Sequence, residues 1–159
     1  PPLVPPESAA IFETPNEFYN GAMRQFYALY LSQRKMYDEA LEQFAGLDPA
    51  RSLDPASYFY FKAVAEHELL MKTEGLASIA TLLDGVENVP VRYQAVAALM
   101  KHELEALQLD SLDEVARKMR DVERRLDLAR AGEKVQRRED EIIATLDEII
   151  EKLEQQGGS

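Results

Sequence analysis

The sequence predicts an all-α protein in which stacked antiparallel helix hairpins are followed by a coiled-coil-like C-terminal helical pair or long helix. Three observations lead to this prediction. Helix-start signals recur along the chain, whereas the alternation of apolar and polar residues that marks strands is absent. Small and aromatic residues recur at a spacing close to the length of one helix hairpin. After residue 110, apolar residues follow steps of three and four.

The prediction divides the chain into four parts. The proline-rich opening, residues 1–13, is expected to be an extended arm, because proline disfavours both helix and sheet interiors. Residues 14–110 are expected to hold the helix hairpins, and residues 111–155 the C-terminal helices. The Gly-rich end, residues 156–159, is predicted to be a flexible tail. The chain begins with Pro rather than Met, which is consistent with a processed, extracytoplasmic protein and equally with a fragment, so the compartment stays open.

The first two helices follow from a capping signal and an amphipathic run. Thr14 and Glu17 form a capping box, with Pro15 at the first helical position, where a missing N–H costs nothing. The helix that starts there is predicted to reach Gln33. A second helix is predicted over residues 36–45.

The tetrapeptide Leu-Asp-Pro-Ala occurs twice, and the two copies are predicted to separate helices rather than to mark a duplication. In the first copy, Asp48 and Pro49 end the second helix and begin a turn. In the second copy, Asp54 is a helix cap and Pro55 lies in the first turn of the third helix. That helix is predicted to reach Lys72.

Three further helices complete the series. The fourth is predicted over residues 73–84 and the fifth over residues 90–108. Ser111 and Glu114 form a second capping box, which opens the sixth helix.

A faint repeat links the first, third and fifth helices. Each holds an aromatic residue that is followed two positions later by Ala and then by an aliphatic residue. These motifs start at Phe26, Phe61 and Tyr93, which are 35 and 32 residues apart. Twelve positions after the first two alanines stand small residues, Ala40 and Gly75, which would let paired helices approach closely. Known helix-pair repeats have a period of about 34 residues.

Residues 37–49, YDEALEQFAGLDP, resemble the second helix and the exit turn of a tetratricopeptide repeat. Four residues fall near the family's characteristic positions: Tyr37, Ala40, Phe44 and Pro49. Lys35 stands where the family usually has Gly before the second helix. The resemblance is clearest over residues 15–84, and it implies a stacked scaffold whose concave face binds a peptide or another protein. An ordinary helical bundle is the alternative.

The resemblance also implies that the concave binding face is lined by the first helix of each hairpin. The matching positions are Gln25, Leu29 and Ser32, then Tyr60, Val64 and His67, and then Arg92, Val96 and Leu99. Family members that grip a C-terminal carboxylate use Lys, Asn and Arg there, and only Arg92 fits that pattern. A face rich in Leu and Val favours an apolar helix, from a partner or from the C-terminal part of this chain. The alternative is that these residues are ordinary core.

The sequence shows no catalytic apparatus, so we expect that the protein is not an enzyme and binds no cofactor. It has no Cys, no Gly-rich phosphate loop and no nucleophile-elbow motif. Its two histidines, His67 and His102, are too far apart in sequence for the paired-histidine zinc motif. A metal-dependent enzyme that brings them together with Glu66 or Glu103 is the remote alternative.

Two apolar seams are predicted in the C-terminal part. The first comprises Leu112, Val115, Met119, Val122, Leu126 and Ala129, and the second comprises Ile142, Leu146, Ile149 and Leu153. If the chain folds back at Gly132, the seams meet and Val122 lies opposite Ile142. If it does not, one long helix results, and two copies would pair as a homodimer through residues 112–153. Adjacent Ile residues widen the second seam, so residues 142–153 are predicted to be buried on two sides.

Charge narrows the class of partner. A net charge of −11 argues against binding to nucleic acid or to an anionic membrane surface, and no apolar run is long enough to span a bilayer. The expected partner is therefore a protein or peptide. Residues 117–138 are rich in Arg and Lys, whereas the charged residues of the segment 139–154 are mostly acidic, so these two blocks favour pairing with each other.

Overall fold

The computed structural model describes residues 15–108, 111–128 and 133–157, without the side chains of residues 133–139. Throughout this described part the secondary structure is helical, which confirms the all-α prediction. Its α-helices are α1 (Glu17–Gln33), α2 (Tyr37–Ala45), α3 (Pro55–Glu68), α4 (Lys72–Ala80), α5 (Val91–Ala106), α6 (Leu112–Asp127) and α7 (Glu133–Gly157).

The chain forms two compact units, one that ends at Glu105 and one that follows from Ala106. The first unit holds α1 to α5, and the second holds α6 and α7. The predicted arm, residues 1–13, and the predicted turn at Gly132 lie outside the described residues.

The two Leu-Asp-Pro-Ala copies separate helices, as predicted. Asp48 accepts a hydrogen bond from the backbone N–H of Ala50 at 3.0 Å and starts a single 3-10 turn, Pro49–Arg51. Asp54 accepts from the N–H of Ser57 at 3.0 Å and caps α3. Each carboxylate satisfies a backbone donor that the helix or turn leaves without a partner.

The first helix starts two residues later than predicted. Asn16 is the cap, and its side-chain oxygen accepts hydrogen bonds from the N–H groups of Phe18 (3.1 Å) and Tyr19 (3.2 Å). The expected cap, Thr14, lies outside the described residues. Ser111 caps α6, as predicted.

The turns inside the first two hairpins share one conformation. Lys35, between α1 and α2, has a φ of 60°, and Leu70, between α3 and α4, has a φ of 59°. In each turn the next residue, a Met, donates its N–H to the carbonyl five residues earlier at 2.9 Å. This left-handed turn ends α3 at Glu68, whereas the sequence predicted a helix that continues to Lys72.

Other helix ends also differ from the prediction. After α4, the segment Thr81–Gly85 forms a π-helical turn. At the C-terminus, α7 continues to Gly157, so the first two residues of the predicted tail, 156–159, are helical.

Small residues bring the helices of the first unit together. Here α1 packs against α2 and α3, and α3 packs against α4. Ala28, Ala40 and Ala63 are fully buried. At Gly75 a Cβ atom would lie 2.8 Å from Cδ1 of Leu104, which belongs to α5. The helices can approach this closely because these positions carry almost no side chain.

The third copy of the aromatic–Ala motif differs from the first two, because Ala95 is exposed whereas Ala28 and Ala63 are buried. The buried residues of α5 are instead Tyr93, Ala97, Met100 and Leu104. Their spacing of four, three and four places them on one side of a helix. They share one apolar cluster with Ala63 of α3 and Ile79 of α4.

In the second unit, α6 and α7 are separate helices that pack against each other. The alternative of one long helix is therefore wrong. Val122 and Ile142, predicted to lie opposite each other, line one cavity together with Met119 and Ile143.

The predicted seams of this hairpin are buried only in part. Val115 is buried, but six other apolar residues of the hairpin are each at least half exposed: Leu112, Met119, Leu126, Ile143, Ile150 and Leu153. The prediction that residues 142–153 are buried on two sides is therefore wrong for this chain. The stripe of α7 is wider than the surface that α6 covers.

A polar network occupies the buried side of α6. Asp121 and Arg125 are both buried, and Arg125 Nε lies 2.8 Å from Oδ2 of Asp121. Arg124 contacts the other carboxylate oxygen of Asp121, Oδ1. Burial alone would raise the pKa of Asp121, but the hydrogen bonds and charges of the two arginines hold it below its usual value. Lys118 Nζ lies 3.9 Å from Glu141 of α7. Ion pairs therefore fill part of the space that the seam prediction gave to apolar side chains.

We predict that Lys35→Gly raises the free energy of unfolding by about 0.5–1 kcal/mol. A left-handed residue with a Cβ is strained by roughly 1–2 kcal/mol, and the greater freedom of Gly in the unfolded chain offsets part of that gain. Lys35 is exposed, so little packing is lost. Denaturant unfolding measures the change. The control is Arg34→Gly, since Arg34 has a negative φ of −84° and should only be destabilised by Gly. Equal effects at the two positions would contradict the strain argument.

We predict that Gly75→Val destabilises the protein by about 1–3 kcal/mol more than Gly21→Val, because the new Cβ overpacks the contact with Leu104. Gly21 is the matched control, since it also lies inside a helix and has nothing within 4 Å of an added Cβ. The gain in helix propensity is the same at both sites. Chemical denaturation of the two variants gives the difference, and equal stability would show that α4 does not approach α5 closely.

Candidate interaction face

The three predicted face residues of α1 are mostly occupied by contacts within the fold. Gln25 is buried, and its amide nitrogen donates to the backbone carbonyl of Asp54 at 2.9 Å. Its amide oxygen accepts from the Ser52 hydroxyl at 2.7 Å. These bonds attach α1 to the segment that leads into α3. Ser32 is also buried, and Leu29 is half-buried.

The predicted face residues of α3 are half-buried. The ring of Tyr60 stacks on that of Tyr93 in α5, with centroids 4.0 Å apart and planes 7° from parallel. Burial raises the pKa of Tyr60, and the neighbouring Tyr93 adds to this, whereas the positive charge of Arg92 opposes it. Val64 packs against two apolar clusters of the first unit. These side chains join helices and still present part of their surface.

His67 connects α3 to α5 through a carboxylate. Its Nε2 lies 2.7 Å from Glu103 of α5, and its Nδ1 lies 3.5 Å from Glu68. The hydrogen bonds to Glu68 and Glu103 raise the pKa of His67, and they outweigh burial, which alone would lower it. The protonated ring can donate to both carboxylates, so the link between the helices is strongest when His67 is charged.

The predicted face residues of α5 are the most accessible of the nine. Arg92 is exposed, and its guanidinium lies 5.0 Å from the centroid of the Tyr93 ring. Val96 and Leu99 are also exposed, and 66% of Leu99 is open to solvent. Tyr93 contacts both Tyr60 and Arg92, so it brings together two of the predicted positions. The apolar side chains that a partner can reach are therefore concentrated on α5.

The sequence prediction missed an aromatic stripe on α1. Tyr19, Phe26 and Tyr30 are all exposed, and their spacing of seven and four places them on one side of the helix. The two equivalent turns are 35 residues apart, and by that offset Tyr30 corresponds to Ala65. Ala65 is fully buried in a cluster with Tyr37 of α2. Tyr30 thus lies where the equivalent residue of α3 packs against the preceding hairpin, and the heptad-like spacing of the stripe was its sequence signal.

Among the described residues we find neither a metal-binding site nor a membrane-spanning helix. In that part of the chain no group of three His, Asp or Glu side chains is arranged to hold a metal ion. His102 is exposed on α5, and His67 is engaged by carboxylates. Within the same residues, no helix combines the length and the apolarity that a membrane-spanning segment needs. Comparison with protein-family models, curated proteins and solved structures finds no match to this chain.

We predict that His67 stabilises the fold in a pH-dependent way. Its pKa is raised in the folded state above about 6.5, the value of an unperturbed histidine. Its contribution is therefore fully present below about pH 6.5 and is lost as the pH rises through the folded-state pKa. Thermal unfolding from about pH 5 to pH 9 should show a difference between wild type and His67→Gln that is largest in acid.

The exposed histidine of α5 supplies the control for this experiment. The His102→Gln variant has the same change of composition without a carboxylate link between helices. Comparison of the two variants therefore isolates the effect of that link. A constant difference between wild type and His67→Gln across the whole range would show that His67 acts only by packing.

Proposed function

We propose that the chain is a non-catalytic protein–protein interaction scaffold, built from tetratricopeptide-like hairpins, that binds a peptide or helix of another protein. The observation that carries this proposal is the repeated left-handed turn. Lys35 and Leu70 occupy the same place in two successive hairpins and are 35 residues apart. A repeat period close to that of helix-pair arrays supports an architecture in which one structural unit recurs.

Contacts between the hairpins also support the proposal. Gln25 joins α1 to the segment that begins α3, and the Tyr60–Tyr93 stack joins α3 to α5. Small buried residues lie at the predicted contact positions Ala40 and Gly75. These contacts support a stacked arrangement of the first helices, α1, α3 and α5.

The chemistry of the exposed residues indicates the kind of ligand. Val96 and Leu99 offer apolar surface, and Arg92 adds one exposed cation at the same helix. Exposed apolar groups beside a small number of polar ones are typical of surfaces that bind peptides. A partner segment with an apolar face and an acidic residue near one end fits this arrangement.

We predict that peptides selected from a displayed library on the intact chain lose at least about tenfold in affinity on Leu99→Asp. A carboxylate in an apolar contact leaves a charge without compensation, and Leu99 is too exposed for the fold to suffer. The matched control is Leu53→Asp, which places the same charge at an equally exposed Leu outside the face. Affinities are measured by fluorescence anisotropy. If no selected peptide distinguishes the two variants, the proposed face is wrong.

A second candidate function is assembly into a homodimer through residues 112–153. The observation that favours it is the exposed apolar surface of the α6–α7 hairpin, which a second copy could cover. For the remote alternative, a metal-dependent enzyme that uses His67 and His102, no observation of the described residues offers support.

A further inference from the structure

The outer side of the α6–α7 hairpin carries a strip of exposed apolar side chains, here called the hairpin strip. It consists of Leu112, Met119 and Leu126 on α6, and of Ile143, Ile150 and Leu153 on α7. The α6 members are seven residues apart, as are Ile143 and Ile150, so each set follows one side of its helix. The two sets adjoin, because Met119 and Ile143 line the same cavity of about 330 Å³. The hairpin strip is therefore one surface rather than scattered exposed residues.

Carboxylates border this strip on both helices. Glu123 lies four residues after Met119 and three before Leu126, so it stands on the same side of α6. Asp147 stands in the same relation to Ile143 and Ile150 on α7. Both acids are exposed, and so are their neighbours along the same edges, Asp127 and Glu154. The rim of the strip therefore carries negative charge on either side.

Most basic residues of α6 form ion pairs with acids other than those of the rim. Arg117 pairs with Asp113, and Arg124 and Arg125 pair with Asp121. Lys118 lies between carboxylates of α6 and α7. Among the described residues of the hairpin, Arg120 and Lys152 are exposed cations, and Arg120 shares the edge of Glu123, which follows it by three residues. The cations of the hairpin therefore neutralise little of the negative charge of the rim, and this charge can attract a cationic partner.

This charge pattern favours one of two occupants of the strip. A second copy of the hairpin would bring one acidic rim against another, and like charges across an interface oppose association. An amphipathic helix with Lys or Arg beside its apolar residues would meet an opposite charge along both edges. We propose that the hairpin strip is a docking site for a basic amphipathic helix of a partner protein. This site is separate from the face on α5 and goes beyond the function proposed for it.

The proposal is tested with synthetic helical peptides and the full chain. The probe is a labelled peptide about three heptads long, with Leu at the two seam positions and Lys at the flanking positions. Its counterpart carries Glu in place of Lys. The Lys peptide should bind at least about tenfold more tightly than the Glu peptide. Its affinity should fall when the salt concentration is raised from about 0.05 M to about 0.5 M, because rim charges are exposed and screened.

Matched variants locate the binding. The double variant Met119→Ser/Ile143→Ser should weaken binding of the Lys peptide by about tenfold or more, because it removes the apolar contact. Leu53→Ser, at another exposed Leu, should not. Glu123→Gln/Asp147→Asn should also weaken binding, whereas Glu74→Gln/Glu87→Gln, which removes two exposed acids of the first unit, should leave it unchanged. Comparison of these two double variants separates the effect of the rim charges from that of the overall negative charge of the chain.

Three outcomes would overturn the proposal. The first is a Lys peptide that binds the Met119→Ser/Ile143→Ser variant as tightly as it binds the wild type. The second is equal binding of the Lys and Glu peptides. The third is a dimer in sedimentation equilibrium that dissociates on Met119→Ser/Ile143→Ser, which would assign the strip to a second copy. Leu99→Asp should leave binding of the probe intact, so failure of the α5 face and failure of this proposal are distinguishable.

Discussion

The position of α3 among four other helices is the constraint on which the first unit depends. This helix packs against α1, α2 and α4, and it meets α5 through the stack of Tyr60 on Tyr93. Ala63 and Ala65 are fully buried on it and hold no bulk that would keep its neighbours away. Because one helix serves all four contacts, the orientation of α3 sets where the surfaces of α1 and α5 open to solvent.

A lysine that pairs with a buried carboxylate also links α3 to α4. Glu66 is almost fully buried, and Lys62 Nζ lies 2.5 Å from its carboxylate and 3.0 Å from the hydroxyl of Ser78 on α4. Lys62 and Glu66 both belong to α3, so this buried carboxylate has its charged partner within its own helix. The link to α4 is the contact of Lys62 with Ser78, which favours one register of the two helices. Asp121 and its arginines likewise pair within a single helix, α6.

Much of the fold could be predicted from the sequence because the relevant signals are local. Asp54 and Ser111 cap helices through bonds that span only three residues, and such short-range chemistry is visible in the sequence. The left-handed Leu70 could not be predicted, since no Gly marks the turn and only the packing of the two helices around it imposes that conformation. Sequence periodicity also assigned Met119 and Leu126 to a buried seam, although the tertiary structure covers the adjacent polar side of α6 instead.

The candidate face, too, could be predicted from the sequence only in part. Its nine positions were chosen by analogy of position, and burial then separates Gln25 and Ser32, which serve the interior, from Val96 and Leu99, which solvent reaches. Nothing about Gln25 in the sequence reveals that its amide forms hydrogen bonds with the carbonyl of Asp54 and the hydroxyl of Ser52. Conversely, the exposure of Tyr19 and Tyr30 depends on whether anything packs beside α1, which a helical pattern does not state.

The paired turns at Lys35 and Leu70 have a consequence for how quickly the chain folds. Each closes its hairpin with backbone hydrogen bonds that span five residues or fewer, so the two helices meet without ordering a long loop. Proteins dominated by such near-neighbour contacts cross a low entropic barrier and tend to fold in microseconds to milliseconds. Each hairpin can therefore form early and present its apolar side, and the slower step is the docking of one preformed hairpin on the next. The backbone strain at Lys35 and Leu70 slightly lowers the stability of the folded state. Hairpin formation remains a local event.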